Sequence, residues 1–195
     1  MLSAALSFPP ELLLKAQGGG LGLKAAIFDV DGVLTDGRIY IGEHGEGFKA
    51  FSTLDGQGLK LLDKAGIVPI VITGRDSPAV RRRVADLGLR HAVYGASDKL
   101  AVAQPLLDQL GLQWGEVAAM GDDWPDLPLM VRAGFACAPP QAHAEARARA
   151  HYVTQAAGGH GAARECCDLI LMAAGRYVPL LNGHLDTLDG SGSPR

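Results

Sequence analysis

The sequence predicts a three-layer α/β fold, a parallel sheet covered by helices on both faces, within one domain. Three observations lead there. Four short apolar runs recur along the chain, stretches of helical character separate them, and strand and helix alternate over most of its length. The 195 residues match a single domain at roughly 150 residues per domain, and a core of that size needs no disulfide staple.

The elements follow in order. Residues 1–23 are expected as an appendage: Pro10 suits the first turn of a short helix over Glu11–Ala16, which Gly18-Gly19-Gly20 ends. The regular pattern opens at Lys24. Ala25–Val30, Ile67–Thr73, Glu116–Gly121 and Gly134–Ala138 are the strong strands; His91–Tyr94 and His151–Thr154 are weaker ones. Helices are expected over Leu59–Ala65, Pro78–Leu87, Lys99–Leu110, Asp126–Ala133, Ala142–Ala150 and Gly161–Gly175. In the third, Leu100, Ala103, Leu106, Leu107 and Leu110 recur at helical spacing, with Asp98 placed to cap the start. One segment breaks the alternation. Asp36–Ser52 holds two short alternating runs, Arg38–Ile41 and Gly47–Phe51, around a Gly-rich turn, and reads as a β-hairpin inserted after the first strand. The domain therefore spans 24–181, with the Gly/Ser/Asp-rich residues 182–195 expected as a mobile tail.

Composition narrows the function classes. Hydrophobic residues make up 48% and charged ones 20%, which excludes a disordered polar chain. Eighteen bases against 21 acids give a net charge of −3, so a general nucleic-acid binder, whose surface would be basic, is disfavoured. Cys137, Cys166 and Cys167 lack zinc-ligand spacing and read as buried reduced thiols. The first residues lack the basic start of a signal peptide, and no apolar run approaches the ~18 residues of a membrane span. A soluble cytoplasmic protein is the expectation.

The chemistry gathers where strands end, which is where parallel α/β sheets place ligands. The first strand runs into Asp29-Val30-Asp31-Gly32-Val33-Leu34-Thr35-Asp36. Two aspartates one residue apart face opposite sides of a continuing strand, but Gly32 permits a turn that brings both to one pocket. Carboxylates that close repel unless a cation lies between them, so a hard metal such as Mg²⁺ is implied. Asp122, after Gly121 at the end of the third strong strand, is the best further ligand beside Asp29 and a backbone carbonyl. Asp123 and Asp126 then support the ligands from behind or start a helix. Thr73-Gly74-Arg75 ends the second strong strand with a hydroxyl and free N–H groups, and Lys99 offers a fixed positive charge. A transferring phosphoryl group needs such neutralisation of its oxygens.

The order D-x-D, T-G-R, K, G-D-D-x-x-D resembles the four motifs of the haloacid dehalogenase-like phosphatases, over about residues 24–175. The resemblance implies a Rossmann-like sheet, with Asp29 as the nucleophile that forms an aspartyl phosphate and Asp31 as general acid, then base. It also implies Thr73 and Lys99 as phosphate-stabilising groups, and Asp29, the Asp31 backbone carbonyl and Asp122 as Mg²⁺ ligands. Only 41 residues separate Asp31 from Thr73 and 25 separate Thr73 from Lys99, too few for a cap domain, so an oligomeric partner is expected to shield the site.

Longer stretches narrow the resemblance. D-V-D-G-V-L-T-D-G-R-I-Y, F-K-A-F-S-T-L-D-G-Q-G-L-K, V-I-T-G-R, G-D-D-W-P-D-L-P-L-M and A-H-Y-V-T-Q-A-A-G-G-H-G-A-A-R-E are similar to the 3-deoxy-D-manno-octulosonate 8-phosphate phosphatase family. That resemblance implies a homotetramer packed through the hairpins and a sugar-acid phosphate on the route to the lipopolysaccharide inner core. It puts Gly32, Asp55, Gly74 and Arg75 near the substrate. Ser52 stands where the family often has Asn, and the tail also differs. A nine-carbon sugar-acid phosphate and a broad small-metabolite phosphatase remain alternatives. A phosphorylatable receiver domain does not fit, because the strand that would carry its phosphoacceptor Asp ends in Thr73. Arg81-Arg82-Arg83 reads either as a solvated helix face or as an anion-attracting patch, and Trp124 as pocket wall or packing.

Overall fold

The computed structural model describes residues 22–186, so the helix expected over Glu11–Ala16 lies outside the described residues. Six strands form one parallel sheet: β1 (Ala25–Phe28), β4 (Val68–Ile72), β5 (His91–Val93), β6 (Val117–Met120), β7 (Phe135–Ala138) and β8 (Tyr152–Val153). Their spatial order is β5-β4-β1-β6-β7-β8. Strand β1 pairs with β4 on one side and β6 on the other, Phe28 lying opposite Val71 and Met120. The chain winds outward through β4 and β5, then crosses back to start again at β6. That reversal opens a crevice at the carboxyl end of β1.

Helices cover both faces, as expected from the alternation. Helices α1 (Thr53–Lys64), α2 (Pro78–Leu87) and α6 (Ala162–Ala173) lie on one face. Helices α3 (Lys99–Leu110), α4 (Leu127–Met130) and α5 (Ala144–Arg149) lie on the other. Along β1 the side chains alternate between two cores: Ala26 and Phe28 join Leu59, Leu62 and Ile170, whereas Ala25 and Ile27 join Leu107 and Met130. Burial on both faces is why the strands carry no polar alternation. Ser52 caps α1, its hydroxyl accepting from the Leu54 N–H at 3.2 Å, and Asp98 caps α3 as its position predicts.

Four expectations shift. Helix α1 begins at Thr53, not near Leu59, although Gly56 and Gly58 are poor helix formers. Both glycines are needed where they stand: a Cβ on Gly56 would lie 2.3 Å from Arg83 Nη2, and one on Gly58 3.1 Å from Arg164 Cα and Cys167. Close approach of neighbouring helices overrides propensity. The helix expected over Asp126–Ala133 divides into a 3₁₀ turn, Trp124–Asp126, and the short α4. In α5 the His143 side chain accepts from the Glu145 N–H, so the helix starts at Ala144. The last helix, α7 (Tyr177–Leu185), reaches into the stretch expected as tail, and residues 187–195 lie outside the described residues. The inserted hairpin is present as β2 (Tyr40–Gly42) and β3 (Gly45–Phe48), antiparallel, with Tyr40 stacked on Phe48. All three cysteines are free and buried. No described helix is long and apolar enough to cross a membrane.

Candidate active site

The carboxyl ends of β1, β4 and β6 converge on an open cleft of about 270 Å³, lined by Asp29, Asp31, Thr73, Arg75, Lys99 and Asp122 among others. Each arrives by local geometry. Asp29 is the residue after β1, and its N–H donates to the Met120 carbonyl at 3.1 Å, so it stands at the sheet edge. The chain then coils: Leu34 and Thr35 N–H groups both donate to the Val30 carbonyl at 2.9 Å, and Gly32 sits at φ 88°. That left-handed value favours glycine, and so does the neighbour, since a Cβ on Gly32 would lie 2.0 Å from Asp122 Oδ2. The turn that Gly32 permits thus lets the β1 and β6 loops touch.

Lys99 and Asp126 tie the cleft floor together. The Lys99 ammonium donates to Asp29 Oδ1 and to Asp126 Oδ1, both at 2.6 Å, with all three side chains buried. The other Asp126 oxygen accepts from the N–H groups of Asp122 at 3.1 Å and Asp123 at 3.3 Å. Both Asp126 oxygens are therefore engaged in holding Lys99 and the β6 loop. Gly121 is required there, because a Cβ would fall 2.2 Å from the Asp126 Cβ. At the end of β4 the Thr73 hydroxyl accepts from the Arg75 N–H at 3.2 Å, which curls Gly74 and Arg75 around the cleft.

Negative charge dominates this floor. Burial and the charge of Asp126 push Asp29 up to about 8 against the pull of Lys99. Burial, Asp126 and Asp123 push Asp122 up to about 7. Carboxylate oxygens of Asp29, Asp122 and Asp126 lie within 4.8 Å of one another. All-oxygen donors with more negative charge than one lysine neutralises suit a hard divalent cation.

Not every residue expected near the substrate lines the cleft. Gly74 and Arg75 do. Gly32 instead turns its carbonyl to Gln141 Nε2 at 2.8 Å, toward the loop before α5. Asp55 is 2% exposed and its oxygens accept from the N–H groups of Gly161 at 3.2 Å and Arg164 at 2.8 Å, so it caps α6 from the side of α1. A carboxylate at a helix N-terminus satisfies orphan donors and the local dipole. The arginine run is divided among local partners: Arg81 pairs with Asp76 over the Tyr94 ring, Arg82 with Asp86, and Arg83 donates to the Ser52 carbonyl at 3.0 Å. Trp124 does not line the cleft; though 62% exposed, it packs edge-on against the His143 ring at 5.7 Å and donates to its Nδ1 at 3.1 Å.

Two residues at the cleft escape the sequence reading. The hairpin swings back so that Lys49 meets Asp31 and Glu46, while Glu46 reaches Arg75 and Ser77. In the sequence both lie in a polar, Gly-rich hairpin whose charges look solvated. The only available signal was position, since the segment follows the acidic loop directly.

Comparison with known proteins agrees with this geometry. Residues 92–165 match the haloacid dehalogenase-like hydrolase family. The chain is 42% identical over 167 residues to the 3-deoxy-D-manno-octulosonate 8-phosphate phosphatase KdsC of Salmonella typhimurium, covering 86% of this chain and 87% of that protein. It is 44% identical over 166 residues to KdsC of Escherichia coli K12, covering 85% and 86%. The crystal structure of the Moraxella catarrhalis 3-deoxy-D-manno-octulosonate 8-phosphate phosphatase, in complex with magnesium ion, phosphate ion and KDO, superposes with a TM-score of 0.83 at 38% identity, covering 89% of this chain and 98% of that one. Similarity of this extent, with the four motifs meeting in one cleft, places the chain in the 3-deoxy-D-manno-octulosonate 8-phosphate phosphatase family of haloacid dehalogenase-like hydrolases.

Proposed function

We propose that this protein hydrolyses 3-deoxy-D-manno-octulosonate 8-phosphate to the free sugar acid and phosphate, with Mg²⁺, on the route to the lipopolysaccharide inner core. The observation that carries the reading is the meeting of Asp29, Asp31, Thr73, Lys99 and Asp122 in one cleft, in a chain 42% identical to a named phosphatase of that substrate. Asp29 is the nucleophile: Lys99 fixes its Oδ1, and the second oxygen attacks phosphorus. As the bond between phosphorus and the C8 oxygen breaks, Asp31 gives that oxygen its proton. Asp31 then takes a proton from water, which attacks the aspartyl phosphate and releases phosphate. The Thr73 hydroxyl, the Gly74 N–H and Lys99 face the phosphoryl oxygens. Mg²⁺, held by Asp29, Asp122 and the Asp31 backbone carbonyl, supplies further positive charge against the phosphoryl group. Asp126 holds Lys99 and the Asp122 loop in place, and Arg75 offers its half-exposed guanidinium to the anionic end of the sugar acid.

The protein works in the cytoplasm as a homotetramer joined through the hairpins. Support for the assembly is the exposure of Ile41 (71%) and Phe48 (60%) on that arm, and the openness of the cleft, which a neighbour would shield. The reading is tested by phosphate release from eight- and nine-carbon sugar-acid phosphates, with and without Mg²⁺. We expect the eight-carbon acid to be preferred in kcat/KM and Asp29→Asn to lose about 10⁴-fold or more in turnover while folding normally. A flat substrate profile overturns the substrate, and undiminished turnover by Asp29→Asn overturns the chemistry.

A further inference from the structure

The roles above leave the hairpin's own charges unused, yet they form an ordered group at the cleft. The Lys49 side chain is fully shielded, at 0% exposure, and its ammonium bonds Asp31 Oδ1 and lies 3.4 Å from Glu46 Oε2. Glu46 in turn meets Arg75 Nη2 at 3.1 Å and accepts from the Ser77 hydroxyl at 2.5 Å. Arg75 Nε stands 4.0 Å from Asp31 Oδ2, which closes a ring of alternating charges: Asp31, Lys49, Glu46, Arg75. Removing an ammonium from water costs several kcal/mol, and pairing it seldom leaves much net stability. Stability alone is therefore a weak reason for this lysine. Geometry gives a better one. The side chain of Asp31 is 21% exposed and rises from a coiled loop, and the side chains that meet its oxygens are Lys49 and Arg75. Proton transfer needs such a carboxyl held in one direction, within hydrogen-bond reach of the departing oxygen.

We propose that Lys49 is a positioning residue for Asp31: by holding Oδ1, it keeps Oδ2 turned into the cleft toward the oxygen of the departing alcohol. This rests on the role of Asp31 given above. It makes the hairpin part of the active site of its own chain as well as an assembly arm, so a displacement of the hairpin is felt at the proton-transfer step. Glu46 completes the device, since it holds Lys49 from the other side and links it to Arg75 and Ser77.

The test separates positioning from mere structure by the leaving group. A sugar alkoxide must be protonated as it departs, whereas p-nitrophenolate leaves without a proton. Wild type, Lys49→Met, Lys49→Arg and Asp31→Asn are compared in kcat/KM, which reports the steps up to departure of the leaving group and not the shared hydrolysis of the aspartyl phosphate, on 3-deoxy-D-manno-octulosonate 8-phosphate and on p-nitrophenyl phosphate, with saturating Mg²⁺. We expect the ratio of kcat/KM on the sugar phosphate to kcat/KM on p-nitrophenyl phosphate to fall about 10-fold or more in Lys49→Met, in the same direction as in Asp31→Asn, and to recover in large part in Lys49→Arg. Equal losses on both substrates, or an unchanged ratio, overturn the proposal. If Lys49→Met fails to fold, Lys49→Gln takes its place with the same expectation: a ratio that falls as in Asp31→Asn supports positioning, and a parallel loss or an unchanged ratio overturns it. A normal ratio in Asp31→Asn instead overturns the role of Asp31 itself, and the proposal with it.

Discussion

Two lysines face the same cleft and are held in opposite ways. Lys99 opens α3 on the covered edge of the sheet, buried between Asp29 and Asp126, with strands on either side fixing its partners. Lys49 hangs from a two-stranded arm, and its partners Asp31 and Glu46 are themselves partly exposed. A lone hairpin is marginal by itself, so this arm depends on its ion pairs with the domain, while Ile41 and Phe48 stay exposed. The contrast teaches a division of labour. The groups proposed to meet the phosphoryl oxygens sit at strand ends of the main sheet, where their spacing is fixed by the sheet. The groups proposed to orient the proton donor sit on a two-stranded insert held to the domain by ion pairs.

Breaking the rigid half has the largest expected effect. Lys99→Met removes the cation from a buried site and leaves Asp29 and Asp126 facing each other; we expect kcat to fall about 10²- to 10³-fold, measured by phosphate release at saturating substrate. A loss under tenfold would mean that Lys99 is structural only. The hairpin half is sharpened by Ile41→Asp, which places a charge on an exposed strand position and spares the fold of the protomer. Sedimentation should then show smaller species, with kcat on the sugar phosphate reduced by about tenfold as the hairpin loses its restraint. A dissociated but fully active protomer would uncouple assembly from the site.

The smallest effect concerns pH, and it separates the two halves by charge. Asp29 is raised to about 8 and Asp122 to about 7, both well above an unfolded value near 3.8. The folded protein therefore holds more protons than the unfolded chain between about pH 4 and 8, and stability falls as pH rises through that window. With Mg²⁺ bound, the carboxylates are stabilised in their charged form and the slope should flatten. Thermal unfolding of the metal-free and Mg²⁺-loaded protein at pH 5 and pH 8 measures this, with an expected difference in slope of about a few degrees. Identical slopes would mean that the cation does not bind among these acids.

Much of the site was legible because its signals are local. Asp29, Thr73 and Asp122 each stand directly after an apolar run, and Lys99 directly after a capping aspartate, so their place at the sheet edge follows from where strands and helices must end. Asp55 had no such signal, since only the family resemblance put it near the substrate. It lies near the hairpin in sequence, but the close packing of α1 on α6 takes its carboxylate to the Gly161 and Arg164 N–H groups instead. Lys49 and Glu46 went unread because a charged hairpin looks the same whether it points to solvent or folds back.

The sequence by itself determined the alternating fold, the order of the four motifs and the lack of room for a cap. These rest on apolar periodicity, on residues next to element ends and on the intervals between motifs, all readable along the chain, whereas the roles proposed for the residues came from the family resemblance. Tertiary structure decided which acid caps a helix and which faces the cleft, why Gly56 and Gly58 belong inside a helix, and how the hairpin returns to Asp31. Those outcomes depend on contacts between segments far apart in the chain, and no local pattern of charge or hydrophobicity encodes them.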